Sequence, residues 1–152
     1  TLLKDARSLL SATAFAFGLL AAAQPAAVLA QGKDDQIKAV YHFTNGLDEA
    51  SRGLGNIRNH LAADPKAKIT VVTNGNGIEF LLEDAKDKNG NPFEVIVQDL
   101  KSRGVDFRLC NNTLVTRKID KSKVIQEASI VPSGVAEAAK LQAREGYVYL
   151  RP

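Results

Sequence analysis

The segment Gly104-Val105-Asp106-Phe107-Arg108-Leu109-Cys110-Asn111-Asn112-Thr113-Leu114 changes character once, at its cysteine. Val105, Phe107 and Leu109 alternate with Asp106 and Arg108, the period-two pattern of a short strand with a β-branched start and an aromatic centre. Asn111 and Asn112 then supply side-chain carbonyls for a turn or for the start of a helix, so the backbone is expected to leave the sheet just after the sulfur. Gly104 stands where the left-handed residue that closes a helix is wanted. Helix, glycine, strand and polar loop make the repeating unit of a parallel α/β sheet, whose carboxyl edge collects ligands and reactive groups.

The same unit recurs on both sides. Upstream, residues 37–43 read as a strand and Thr44-Asn45-Gly46 as a turn. Ala50, Leu54, Ile57 and Leu61 then form one helical stripe that ends at Asp64-Pro65, because the residue before proline disfavours the α region. Gly53 and Gly55 lie inside that helix, which predicts close approach of helix to sheet. Residues 69–73 are a second strand, dense in β-branched side chains. Asn74-Gly75-Asn76-Gly77 follows as a tight loop, and Ile78, Leu81, Leu82 and Ala85 predict a helix running to 87–90. Another helix opens with Asn91 as N-cap, Pro92 at the first position and Glu94 as the acid of a capping box, burying Phe93, Ile96, Val97 and Leu100.

Downstream, residues 114–119 and 121–127 read as short helical turns broken near Asp120, and 128–131 as the fourth strand. Pro132-Ser133-Gly134 leads into a helix over 135–145, with Ser133 as N-cap and Gly146 as its stop, before a fifth strand at 147–150. The whole predicts a three-layer α/β/α sandwich around a mainly parallel five-stranded sheet.

The first thirty residues stand apart. Lys4 and Arg7 precede an uncharged apolar run over 9–23, Gln24-Pro25 breaks it, and Val28-Leu29-Ala30 suits cleavage before Gln31. The run falls short of the roughly twenty residues of a membrane span. The expectation is a secretion signal over 1–30, a polar leader over 31–36 and one α/β domain over 37–152, exported to the periplasm, with no membrane attachment once the signal is removed. A net charge of +3 over the whole chain is too small to argue for a nucleic-acid partner. One cysteine and two separated histidines fall short of a metal-ligand set, and no nucleotide or cofactor fingerprint is present, so neither metal nor cofactor is expected.

Parallel strands point their carboxyl ends one way, so four loops should share an edge: Thr44-Asn45-Gly46, Asn74-Gly75-Asn76-Gly77, Cys110-Asn111-Asn112 and Pro132-Ser133-Gly134. All are small, polar or glycine-containing, and such loops offer N–H groups and helix N-termini to an anion or a thiolate. Asn45, Asn74, Gly75, Asn76, Gly77, Asn111, Asn112, Ser133 and Gly134 are therefore the candidate ligand-binding residues. Cys110, the only cysteine in 152 residues, is the candidate nucleophile, against the plainer reading of a small packed hydrophobe. His42, at the end of the first strand, is a candidate proton carrier, or a packed histidine between Tyr41 and Phe43. His60, late in its helix, reads as a surface residue. Arg108, Arg117, Lys118, Lys121 and Lys123 crowd the sequence around Cys110, either as a thiolate-stabilising charge or as a solvated face.

Gly104-Val105 running through a strand into Cys110, Pro132-Ser133-Gly134-Val135 with its alanine-rich helix, and the closing Gly146-Tyr147-Val148-Tyr149-Leu150-Arg151-Pro152 together resemble the DsrE/DsrF-like family. The resemblance implies a five-stranded parallel sheet with strand five beside strand one. It also implies homo-oligomers, trimeric or hexameric, and a cysteine that relays sulfur as a persulfide between donor and acceptor proteins. That cysteine falls on Cys110, so the chain is expected to be a periplasmic sulfur carrier, at most a sulfurtransferase-type activity. The alternative is a non-catalytic small-anion-binding or oligomeric assembly module of the same fold.

Overall fold

The β-branched and aromatic runs become five strands in a computed structural model, which describes residues 36–152; the expected signal and residues 31–35 of the leader lie outside the described residues. These are β1 (Lys38–Phe43), β2 (Lys68–Thr73), β3 (Asp106–Cys110), β4 (Ala128–Val131) and β5 (Val148–Leu150). The sheet runs β4-β3-β2-β1-β5, and every pairing in it is parallel. Among the described residues no helix is long and apolar enough to cross a membrane.

Chain order explains the layering. From β1 the chain steps outward through β2 and β3 to β4, by way of α1 (Leu47–Ala63), a 3-10 segment (Gly75–Leu81), α2 (Phe93–Ser102) and α3 (Asn111–Arg117). It then returns past β3, β2 and β1 to pair β5 on the far side of β1, through α4 (Gly134–Glu145). Parallel crossovers are right-handed, so reversing the direction of travel puts the crossing helix on the opposite face. Among the described residues α4 is the helix that covers that face, packing over β1, β2 and β3.

The two faces are packed unequally. On the α1/α2 side Ala39, Tyr41 and Phe43 of β1, Ile69 and Val71 of β2, and Phe107 and Leu109 of β3 join Leu54, Ile57, Val97 and Leu100 in one buried cluster. Phe80 sits at its centre, with ring centroids 5.3 Å from Phe43, 6.0 Å from Phe93 and 6.4 Å from Phe107. On the α4 side the buried apolar cluster is only Val40, Val72, Ala138, Leu141 and Tyr147.

Three local expectations are corrected. The helix expected from Ile78 to Ala85 is instead the 3-10 segment ending at Leu81, followed by irregular chain with a left-handed residue at Asp84. Gly77 is the reason: a Cβ there would lie 2.1 Å from the Phe43 carbonyl oxygen, so the segment is pressed onto the end of β1 and buries Ile78, Phe80 and Leu81 together. The capping box at α2 does not form either. Asp87 accepts from the Asn89 and Asn91 N–H groups and the Asn91 side-chain amide, so the Asn91 side chain is turned toward Asp87, Pro92 takes the cap position, and Glu94 accepts from Gln98. α3 begins at Asn111, three residues earlier than its periodicity implies, with Cys110 itself at the N-cap.

Of the two glycines inside α1, Gly53 does mark close approach, since a Cβ would meet the Phe43 ring at 2.4 Å, whereas Gly55 faces open space. His60 is half-buried rather than a surface residue, its Nδ1 2.9 Å from the Tyr41 hydroxyl.

Candidate functional site

Alternation along β3 sends Phe107 and Leu109 into the large cluster and Arg108 and Cys110 to the α4 side. Cys110 is therefore carried to the carboxyl edge of the sheet, beneath the start of the one helix on that face. Gly134 permits the approach: a Cβ there would lie 2.8 Å from the Thr73 carbonyl oxygen and 3.3 Å from the Cβ atoms of both Asn74 and Cys110. The first residue of α4 thus sits against the ends of β2 and β3 at once. Ser133 caps the helix, its hydroxyl accepting from the Ala136 N–H at 3.3 Å.

Cys110 keeps 5 % of its surface exposed. Burial by itself raises a thiol pKa, yet the Cys110 value is lowered, because the Gly134 N–H, the Thr113 hydroxyl and N–H, and the Asn112 N–H all favour the anion. Cys110 holds the N-cap position of α3 without closing a capping hydrogen bond, and the nearby donors act on the sulfur as oriented dipoles, in the place where an N-cap oxygen would be served by the second and third residues of its helix. Thr113 is oriented for this role, since its Oγ1 accepts the Gly75 N–H at 3.0 Å and leaves its own proton free for the sulfur. The Asn112 N–H is shared between the sulfur and the Pro132 carbonyl oxygen, 3.2 Å away. The Asn111 Oδ1 is buried beside the site with no partner.

No cation is among the leading causes of this lowering. Arg108 is bound to Asp106 at 2.7 Å and to Glu137, Arg117 to Glu79 at 3.2 Å, and Lys123 to Glu83 at 3.5 Å; Lys118 and Lys121 are exposed. Burial works against the Arg108 charge, but Asp106 and Glu137 more than restore it. Thiolate stabilisation here is a matter of oriented dipoles rather than neighbouring lysines and arginines.

The structure brings Cys110, Asn74, Gly75, Asn112, Ser133 and Gly134 to one edge, and adds Thr113. The three-residue spacing from Cys110 to Thr113, that of a cap and its third helical residue, is the sequence signal that could have found it. Asn45 is drawn elsewhere: its N–H and side-chain amide donate to Glu49, a buried carboxylate that also accepts the Thr44 N–H and closes the start of α1. Asn76 is exposed, and Gly77 is buried against β1. The Asn74, Gly75 and Gly77 N–H groups are all paired within the protein, so this loop does not present an open anion nest. Among the described residues no three His, Cys, Asp or Glu side chains gather as a metal site.

His42 is 7 % exposed and both its ring nitrogens are occupied. Nε2 lies 2.5 Å from Asn74 Oδ1, which can only accept, so Nε2 donates there, and Nδ1 lies 2.7 Å from the Tyr149 hydroxyl. His42 reaches the site through Asn74 rather than by contact with the sulfur. A separate open groove of about 610 Å³, lined by Ser51, Arg58, Asp87, Phe93 and Asp99 among others, lies on the α1/α2 side, away from Cys110.

Comparison with known proteins places this geometry. The model of a family described as DsrE/DsrF-like matches residues 11–152. No curated protein matches. Among solved structures, the MTH1491 protein of Methanobacterium thermoautotrophicum, itself described as of unknown function, is 27% identical with a TM-score of 0.69, over 77% of this chain and 100% of its own. The YchN protein of E. coli superposes with a TM-score of 0.59 at 13% identity, over 76% of this chain and 99% of its own, a likeness of fold.

Proposed function

The chain belongs to the DsrE/DsrF-like family, and from that premise and the donors around Cys110 we propose that it is a sulfur carrier, holding sulfane sulfur as a persulfide on Cys110. The observation that carries the reading is a nearly buried thiol whose pKa is nonetheless lowered by converging N–H and hydroxyl donors. A cysteine that served only as a packed hydrophobe would have no use for four such donors.

The chemistry balances without an external oxidant. The Cys110 thiolate attacks the outer sulfur of a donor persulfide, an S–S bond forms as the donor's own S–S bond breaks, and the donor leaves as its thiolate. The outer sulfur is later taken by an acceptor thiolate in the same exchange, returning Cys110 as a thiolate. Helix α4 and Thr113 favour the negative charge at both ends of the cycle. In this reading the protein acts in the periplasm as a trimer or hexamer, with protein partners as donor and acceptor. The apolar residues left exposed at α4 and β5, Val135 and Tyr149, support self-association.

Intact-protein mass spectrometry after exposure to inorganic polysulfide tests the proposal. The expected result is a gain of one sulfur atom, removed by reductant and absent in Cys110→Ser. Failure of the wild-type protein to take up sulfur, under conditions that load a known carrier, would leave the assembly module as the better reading. An oxygen adduct after peroxide treatment, without sulfur uptake, would instead mark a redox sensor.

A further inference from the structure

We propose that Arg108 and Glu137 are positioning residues for Cys110: their ion pair clamps the first turn of α4 to β3 and so holds the Gly134 N–H at the sulfur. The inference rests on the reading of Cys110 as the reactive group, and extends it to what keeps the donors in place. Arg108 lies two residues before Cys110 on the same face of β3, and Glu137 lies three residues after Gly134.

After Gly134, which packs against the ends of β2 and β3, the next residues of the first turn have little else to hold them down. Val135 and Ala136 are exposed, and Ala138 is the first apolar residue of the helix to be buried. The pair, by contrast, is largely shielded, with 22% of the Arg108 and 13% of the Glu137 side chain accessible. Asp106 fixes the guanidinium by accepting from Nε at 2.8 Å and pairing with Nη2 at 2.7 Å, which leaves Nη1 directed to Glu137. Glu137 is itself tied to the turn, since its N–H donates to the Ser133 carbonyl oxygen at 3.0 Å. A pull on the Glu137 carboxylate is therefore a pull on the residues flanking the Gly134 N–H.

Charge alone does not account for the arrangement. Lys101 from α2 pairs with Asp106, and Lys140 from α4 pairs with Glu137 and Glu145, so the cations and carboxylates of the cluster balance. The sulfur feels little net field from them, and the contribution left to the pair is geometric.

The test is the pH profile of alkylation by iodoacetamide, which in a chain with a single cysteine reports on Cys110 alone. Glu137→Gln is the decisive variant because the two explanations differ in sign. Removing the carboxylate leaves Arg108 with excess positive charge, which by Coulomb attraction would lower the midpoint of the profile. Loss of the clamp raises it, toward the midpoint of the same protein in denaturant. The expected result is a rise of about one pH unit, a roughly tenfold loss of thiolate at pH values well below both midpoints. Arg108→Met should raise the midpoint as well, and the double variant no further than the larger single effect.

Lys123→Met, which removes a remote ion pair, should leave the midpoint in place. An unchanged or lowered midpoint in folded Glu137→Gln overturns the inference, as does a change confined to the high-pH plateau, which would report looser packing only. Sulfur uptake by the wild-type protein is read separately. A wild type that takes up no sulfur, but whose midpoint responds as described, refutes the carrier and leaves the clamp standing.

Discussion

The two faces of the sheet are built to different ends. Against α1 and α2 the strands present phenylalanine, isoleucine, valine and leucine in one continuous cluster. Against α4 they present only Val40 and Val72, which Ala138, Leu141 and Tyr147 complete as a five-residue apolar cluster, together with His42, Thr70, Arg108 and Cys110. The difference follows from topology, since three of the four crossovers lie on one face and only the return to β5 lies on the other. A thin layer with polar groups beneath it is a poor source of stability and a good place for a reactive sulfur. Stability and chemistry should therefore separate by face when residues are changed one at a time.

The largest cost in stability is expected on the aromatic face. Phe80→Ala should lose about 3–5 kcal/mol in denaturant unfolding, while the alkylation midpoint of Cys110 stays where it is. A shifted midpoint in that variant would show that the faces are coupled. Gly134→Ala should cost less, about 1–3 kcal/mol for overpacking, because the added methyl meets the Thr73 carbonyl oxygen and the Asn74 and Cys110 side chains. It should nevertheless raise the thiol midpoint and slow sulfur uptake, reversing the order of the two variants when chemistry replaces stability as the readout.

Tyr149→Phe removes the hydroxyl partner of His42 Nδ1 and should cost about 1 kcal/mol. If sulfur uptake falls far more than stability, the His42 and Asn74 pair belongs to the chemistry and not only to the packing of the thin face. Cys110→Ser should be nearest to neutral, within about 0.5 kcal/mol at mildly acidic pH, since serine is itself a good N-cap. Its comparison with wild type has a defined pH dependence. The native thiol pKa lies below the unfolded one, so between the two values the unfolded chain binds more protons than the native protein. Wild type should gain on the serine variant as pH rises through that window, and lose the advantage as pH falls through the native value. Thermal melts at several pH values check the sign.

Much of this was legible in the residues. Alternation in 105–109, the β-branched run of β2, the left-handed glycines 104 and 146 and the Ser133 cap are local features, set by sterics and hydrogen bonding within a few residues. Expectations failed where another partner competed. Asn91 was drawn from its cap role by Asp87 four residues earlier, and the helix expected after Gly77 was overruled by the distant backbone of β1. The site divides in the same way, with Cys110 and the Pro132-Ser133-Gly134 turn visible in advance and Thr113 not, because its orientation depends on a Gly75 N–H from another loop.

The order of hydrophobic and polar residues thus determined the strands, most of the helices and the place of the lone cysteine at a strand's end, since each rests on short-range periodicity. Only the tertiary structure decided that the sulfur faces the thin layer, that backbone dipoles rather than the neighbouring cations lower its pKa, and that His42 answers to Tyr149 and Asn74. Those outcomes depend on which segments a right-handed crossover brings within a few ångströms, and no short window of sequence holds Cys110 together with Gly134, or His42 together with Asn74 and Tyr149.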